Sequence, residues 1–185
     1  MFIRFSTVAA VVLGLGLLSA PTSALAADPD NLRVFRDVQR QVLGYAFFTI
    51  FDNVEMQIDN GVVTLTGKVT MPFKSDDIVR RVARVEGVTR VNNRLHVLPV
   101  SQFDDDLRIR LARAIYGHSN FVGYGSRANP PIHIIVERGR VTLEGVVNSE
   151  VDRMLARSIA GSFLAFEVKN KLKTTAEAQE ELERL

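Results

Sequence analysis

The sequence predicts an α+β protein of two tandem αββαβ domains, each a small three-stranded mixed sheet with two helices packed on one face. Three observations carry this reading: an internal repeat, an alternation of apolar and polar residues around two turn glycines, and apolar stripes at helical spacing flanking each alternation. Residues 61–69 read GVVTLTGKV and residues 139–147 read GRVTLEGVV, identical at six of nine positions. The match extends upstream, where Met56 and Ile58 face Ile134 and Val136. It also extends downstream, where Val91, Asn93 and Leu95 face Val168, Asn170 and Leu172. Collinear matches 77 to 78 residues apart mark two copies of one unit, with domains over 30–98 and 103–173 joined by a short linker that contains Pro99.

Each copy repeats one order of elements. Val34, Phe35, Val38, Val42 and Tyr45 fall on one stripe while Arg33, Arg36, Asp37 and Arg40 face away, the pattern of an amphipathic helix. Val54, Met56 and Ile58 then alternate with polar residues, Asp59, Asn60 and Gly61 supply a tight turn, and Val63 and Leu65 continue the alternation on the returning strand. Ser75 as N-cap, with Asp76 and Asp77 in the first turn, predicts a second helix with the stripe Ile78, Val82 and Val85 that ends near Gly87. A third strand over 89–97 buries Val91, Leu95 and Val97. In the second copy, Asp104, Asp105 and Asp106 open a helix that buries Leu107, Leu111, Ala114 and Ile115. Ile132, Ile134 and Val136 pair with Val141 and Leu143, Val151, Leu155 and Ile159 mark the next helix, and Phe166, Val168 and Leu172 mark the last strand. Two helices over one face of a three-stranded sheet are the economical way to bury these stripes. Residues 174–185 form a charged, helix-prone tail without a counterpart in the first copy.

Residues 1–26 have a different composition. Arg4 precedes an unbroken run of 11 apolar or Gly residues over 8–18, followed by Pro21 and the small-residue pattern Ala24, Leu25, Ala26. This is the layout of a secretory signal peptide cleaved after Ala26. As a helix the run would span only about 16 Å, short of the roughly 30 Å hydrocarbon core. The expectation is an exported, periplasmic protein with no transmembrane segment in its mature chain.

The turn glycine with VTLTGKV (residues 63–69), the later EGVTRVNNRL (residues 86–95) and the αββαβ order resemble the BON domain, and the pair resembles the OsmY-like periplasmic proteins. The second copy departs from the pattern where Ser162, Phe163, Leu164 and Ala165 replace the expected Gly-Val turn. The resemblance implies a non-enzymatic envelope protein that associates with phospholipid surfaces or other envelope components. It also implies support of envelope integrity under osmotic stress, with no cofactor. The alternative is a protein–protein module, a periplasmic chaperone or the adaptor of an envelope assembly. Gly61, Gly67, Gly87, Gly139 and Gly145 read as fold residues at turns and strand ends rather than as a binding site.

Composition supports a non-enzymatic reading without naming a ligand. The absence of cysteine excludes disulfides, Cys-ligated metals and thiol nucleophiles. A net charge of +2 is far from that of a dedicated nucleic-acid binder. His96, His118 and His133 lack metal-ligand spacing, and the run Asp104 to Asp106 suits a helix start better than a cation site. No G-x-S-x-G, H-E-x-x-H, Walker or dinucleotide motif occurs.

Two features could bind an anionic phospholipid surface or an envelope protein. One is the long Gly- and Pro-containing segment over 116–131 with exposed-looking Tyr116, Phe121 and Tyr124, beside a helix carrying Arg108, Ile109 and Arg113 away from its buried stripe. The other is a basic helix face of Arg80, Arg81 and Arg84. The cluster Phe47, Phe48, Ile50 and Phe51 reads as core, or, in the protein–protein alternative, as a groove for a partner.

Overall fold

The alternation around Gly61 closes a hairpin in which β1 (Asn53–Asp59) pairs antiparallel with β2 (Val62–Val69). The second copy closes β4 (Ile132–Glu137) on β5 (Arg140–Val147) in the same way. The structure is a computed structural model that describes residues 29–183; the leader read into residues 1–26 lies outside the described residues. From each hairpin the chain leaves through a helix, α2 (Pro72–Val82) or α5 (Glu150–Gly161). It returns to lay a third strand parallel to the second, β3 (Arg90–Val97) beside β2 and β6 (Glu167–Asn170) beside β5. The sheet orders β1-β2-β3 and β4-β5-β6 place the return strand of each hairpin at the centre, so both sheets are mixed, as expected.

A short strand, β7 (Lys173–Thr174), also pairs with β5. Arg140 faces Glu167 and Val146 faces Lys173, the same offset of 27 residues, so β6 and β7 are one strand interrupted at Lys171 and Leu172. The repeated asparagines explain part of the motif around these strands. The Asn93 amide donates to Ser75 Oγ at 3.0 Å and its oxygen accepts from Leu95 N–H at 3.0 Å. Asn170 does the same with the Arg153 carbonyl at 2.8 Å and Leu172 N–H at 3.3 Å. Each ties its third strand to the preceding helix.

The cores follow the stripes. In the first domain α1 (Pro29–Leu43) supplies Val34, Val38 and Val42, packed on Val63, Leu65 and Val69 of β2 and on Ile78 and Val82 of α2. In the second, α3 (Gln102–Tyr116) supplies Leu107, Leu111 and Ile115 against Ile132, Ile134, Val136, Val141 and Leu143. The motif glycines all have positive φ. At the end of each hairpin this is obligatory: a Cβ on Gly67 would lie 2.2 Å from the Asn53 carbonyl oxygen and one on Gly145 would lie 1.9 Å from that of Pro131.

Several local expectations are corrected. α2 starts a turn earlier than Ser75 suggests, because Pro72 takes a first-turn position, where its missing N–H is no loss. Ser75 is buried inside the helix rather than capping it. The helix ends at Val82, so Gly87 lies in the following turn and does not close it. At α3 the cap is Ser101, which accepts from Asp104 N–H at 3.3 Å. The buried Asp104 carboxylate instead accepts from the N–H groups of Arg138 and Gly139, both at 2.8 Å, and so clamps the β4–β5 turn. The segment over 116–131 is not structureless: it folds into a 3-10 turn (Ser119–Phe121) and the short α4 (Val122–Gly125). The tail forms α6 (Thr175–Leu182), opened by a capping box between Thr174 and Glu177.

The expected aromatic core after α1 is divided among three environments, and this division joins the domains. The Ile50 carbonyl accepts from Ile134 N–H at 2.7 Å, across the edge of β4. Phe51 packs against the core of the second domain, and Phe48 meets His133 with ring centroids 5.5 Å apart. Glu137 accepts from Lys68 Nζ at 2.5 Å and lies 3.5 Å from His96 Nε2. The loop that carries these contacts is anchored by Asp52, which is fully buried. Its carboxylate accepts from the N–H and hydroxyl of both Thr49 and Thr70 and from Lys74 Nζ at 2.7 Å. These hydrogen bonds outweigh the burial of the charge and hold the Asp52 carboxyl below the ordinary carboxylate range.

Candidate functional site

The exposed face of α2 and the loop before β1 form one continuous surface. Phe73, Asp77, Arg80 and Arg81 recur at spacings of three and four, which places them on one side of the helix, and Arg84 extends the row into the turn beyond Val82. Phe47 is 59% exposed and Phe73 is 47% exposed, with ring centroids 5.7 Å apart, and the neighbouring Met71 is also exposed. Phe47 in turn packs edge-on to the buried Tyr45 at 5.7 Å. The result is an apolar tip that continues into a cationic row.

Hydrogen bonds fix the row. The Tyr45 hydroxyl donates to Asp77 Oδ2 at 2.5 Å, the Arg81 guanidinium lies 5.0 Å from the Tyr45 ring centroid, and Arg80 pairs with Asp77. Burial and the adjacent Asp77 push the Tyr45 hydroxyl up to about 12. The same hydroxyl holds the Asp77 carboxyl below its ordinary value, so Asp77 stays ionised and the Tyr45 proton stays in place at neutral pH. Asp77 thus orients Arg80 while offsetting part of the positive charge.

The other expected binding residues are placed differently. Arg108, read as an exposed flank, is 4% exposed: its guanidinium crosses to donate to the Val136 carbonyl and pairs with Asp105. Phe121 and Tyr124 are core residues, and the Tyr124 hydroxyl donates to Asp152 at 2.8 Å and accepts from Asn148 N–H at 2.7 Å. Tyr116 is half-buried, its hydroxyl donating to the Ile132 carbonyl at 2.6 Å and accepting from Ile132 N–H at 3.0 Å. These aromatic side chains replace the missing backbone partners of an edge strand and its neighbouring loop. Of that set only Ile109 and Arg113 are exposed, on the outer side of α3. Arg80 and Arg84 are exposed and Arg81 is half-buried, all on the α2 surface.

The BON domain family model matches residues 37–99 and 118–176. The chain belongs to the BON domain family. The first matched region runs from within α1 through β3, and the second begins just after α3 and runs through β7 into the start of α6, one region on each copy, so the protein carries a tandem BON pair. Among solved structures, CdsD, a structural protein of the type III secretion system of Chlamydia trachomatis, is 14% identical over 81% of this chain and 97% of its own, with a TM-score of 0.29. The C-terminal domain of CdsD is 13% identical over 75% of this chain and 96% of its own, with a TM-score of 0.28. Neither likeness carries an argument about this BON pair. Comparison with curated proteins finds no match.

Sequence reasoning missed Met71 and Phe73, and it did not join Phe47, weighed as core or partner groove, to the arginine face. The available signal was Met71-Pro72: a proline at the helix start moves Phe73 into the first turn, on the same side as the arginines. Among the described residues no helix is long and apolar enough to cross a membrane, and no cluster of three His, Asp or Glu residues could hold a metal ion.

Proposed function

We propose that this tandem BON protein is an exported, non-enzymatic component of the cell envelope that attaches peripherally to anionic phospholipid through the Phe47–Met71–Phe73 tip and the α2 arginines. In this role it supports envelope integrity under osmotic stress, in the periplasm, after removal of residues 1–26. The observation that carries the reading is the contact between two exposed aromatic rings and a row of cations on one face. Partly exposed rings can enter the interfacial layer, while each cation near an anionic surface contributes about 1 kcal/mol. Ile109 and Arg113 of α3 form a secondary contact of the same character. The test is cosedimentation of residues 27–185 with neutral and with anionic vesicles at low and physiological salt. Binding to anionic vesicles that weakens as salt rises is expected, and absence of binding to either vesicle would reject the reading.

A second reading, docking of an envelope protein, is favoured by a different patch. Where the second domain lacks the family's turn glycine, Leu164 is 88% exposed and Phe166 is 82% exposed, beside the exposed Phe103. Asp105, Glu167 and Arg140 around them mix both signs of charge, which suits a protein rim better than an anionic bilayer. Crosslinking to a stoichiometric envelope partner, lost on Leu164→Ser with Phe166→Ser, would support this reading.

A further inference from the structure

Both hairpins turn through two residues with left-handed backbone, yet they use different chemistry. The first has Asn60 at φ 48° followed by Gly61 at φ 77°, the residue pair that such turns favour. The second has Arg138 at φ 52° followed by Gly139 at φ 72°. Outside Gly, Asn and Asp this conformation is uncommon, and the first domain shows that the fold at this place does not need an arginine. Asp104 holds the strained turn by binding both of its N–H groups. What the arginine adds is a guanidinium at the domain junction.

There it lines a cavity of about 220 Å³, together with Lys68 from the first domain and Arg140 and Lys169 from the second. The carboxylates in the lining are Glu137 and Glu167. Glu137 is taken by Lys68 at 2.5 Å, with His96 at 3.5 Å. Glu167 is shared by Lys169 at 3.5 Å and Arg140 at 3.7 Å, both longer than a direct hydrogen bond. Among the described residues Arg138 has no carboxylate within ion-pair distance. Four cations against two carboxylates leave the cavity with a surplus of positive charge, walled on one side by the buried Ile135.

We propose that this junction cavity binds a phosphate group, with Arg138 as its principal ligand and Lys68, Arg140 and Lys169 completing the cationic ring. A guanidinium fork matches phosphate oxygens in a way that a point charge does not. The cavity is smaller than the roughly 300 to 1,000 Å³ of sites that enclose drug-sized molecules, so it takes one phosphate-bearing head rather than a whole lipid. Because Lys68 comes from the other domain, an occupant spans the junction and favours the docked arrangement. The site is separate from the α2 surface and does not depend on it.

The test is titration of residues 27–185, followed by amide NMR at constant ionic strength, with inorganic phosphate and with glycerol phosphate. Saturable shifts confined to Lys68, residues 137–142 and residues 167–169 are expected. Arg138→Asn restores the favoured turn, so it should fold at least as stably while weakening phosphate binding roughly tenfold, the loss of one charge-assisted contact. Lys169→Gln should weaken binding in the same direction, and Arg157→Gln on the exposed side of α5 should leave it unchanged. If glycerol phosphate displaces the parent but not Arg138→Asn from phosphatidylglycerol vesicles, the phosphate comes from a lipid head. If it binds without displacing it, the source is a soluble ester. The proposal is overturned by shifts that do not saturate in the millimolar range, by shifts spread equally over the α2 arginines, or by Arg138→Asn binding phosphate as the parent does.

Discussion

Replacing Phe47 and Phe73 together by Ser separates apolar insertion from electrostatic attraction. Full burial of a phenylalanine side chain contributes about 2 kcal/mol. Scaled by exposed fractions of 59% and 47%, insertion of the two rings contributes about 2 kcal/mol in all, or roughly thirtyfold in the partition constant. The fold should survive, because the rings contact each other and the edge of Tyr45 rather than the interior of the core. Removing Arg80 and Arg84 should cost about fivefold each at low salt and almost nothing at about 1 M salt, where the Debye length is near 3 Å. Vesicle partitioning of the three proteins across a salt series is the assay, with circular dichroism as the folding control. The aromatic variant should bind about thirtyfold more weakly at every salt, giving a parallel line, whereas the arginine variant should converge with the parent as salt rises. A folded aromatic variant that partitions like the parent would refute insertion by this tip.

Other consequences concern the scaffold. Gly145→Ala places a methyl against the Pro131 carbonyl at positive φ and should destabilise the second domain by about 3 kcal/mol, measured by urea unfolding; a loss below about 1 kcal/mol would refute the close approach. Burial at the junction holds the His133 imidazole below its ordinary value, so the folded form binds fewer protons than the unfolded chain. Its contribution is therefore complete above about pH 6.5 and declines as pH falls below that value, and His133→Phe should flatten this part of the stability profile. An unchanged slope between about pH 6.5 and 5 in that variant would count against the assignment. Phe51→Ala removes the first domain's ring from the second domain's core and should cost about 2 kcal/mol while loosening the docked pair. Residual dipolar couplings that still fit one fixed orientation would show that Phe51 is dispensable for docking.

Much of the architecture was written in local pattern. The repeat around Gly61 and Gly139, the alternation in the hairpins and the stripes of α1 and α3 needed only the periods of strand and helix, since burial of one face follows from them. The two asparagines also lay within the repeat, although their hydrogen bonds to Ser75 and Arg153 cross to another element. Boundaries were less legible: Ser75 and Asp76 make a plausible cap, and only the position of Pro72 shows that the helix has already begun.

The candidate site was legible in its cations and hidden in its aromatics. Arg80, Arg81 and Arg84 are read from helical spacing, because a solvent-facing side chain needs no partner to define its place. Arg108, Phe121 and Tyr124 looked equally free in sequence, yet their partners lie 28 residues away at Val136, in the core, and 28 residues away at Asp152. Long polar and aromatic side chains reach across elements, so their exposure depends on what tertiary packing brings within range. The sequence by itself therefore determined the two copies, their element order and the apolar stripes of the hairpins and of α1 and α3, but not the ends of every element, since Phe166, read into the last strand, lies exposed just before β6. Only the tertiary structure decided how Phe47, Phe48, Ile50 and Phe51 divide between surface, junction and neighbouring core, because that depends on docking one domain against the edge of β4, a contact that no periodicity within either copy encodes.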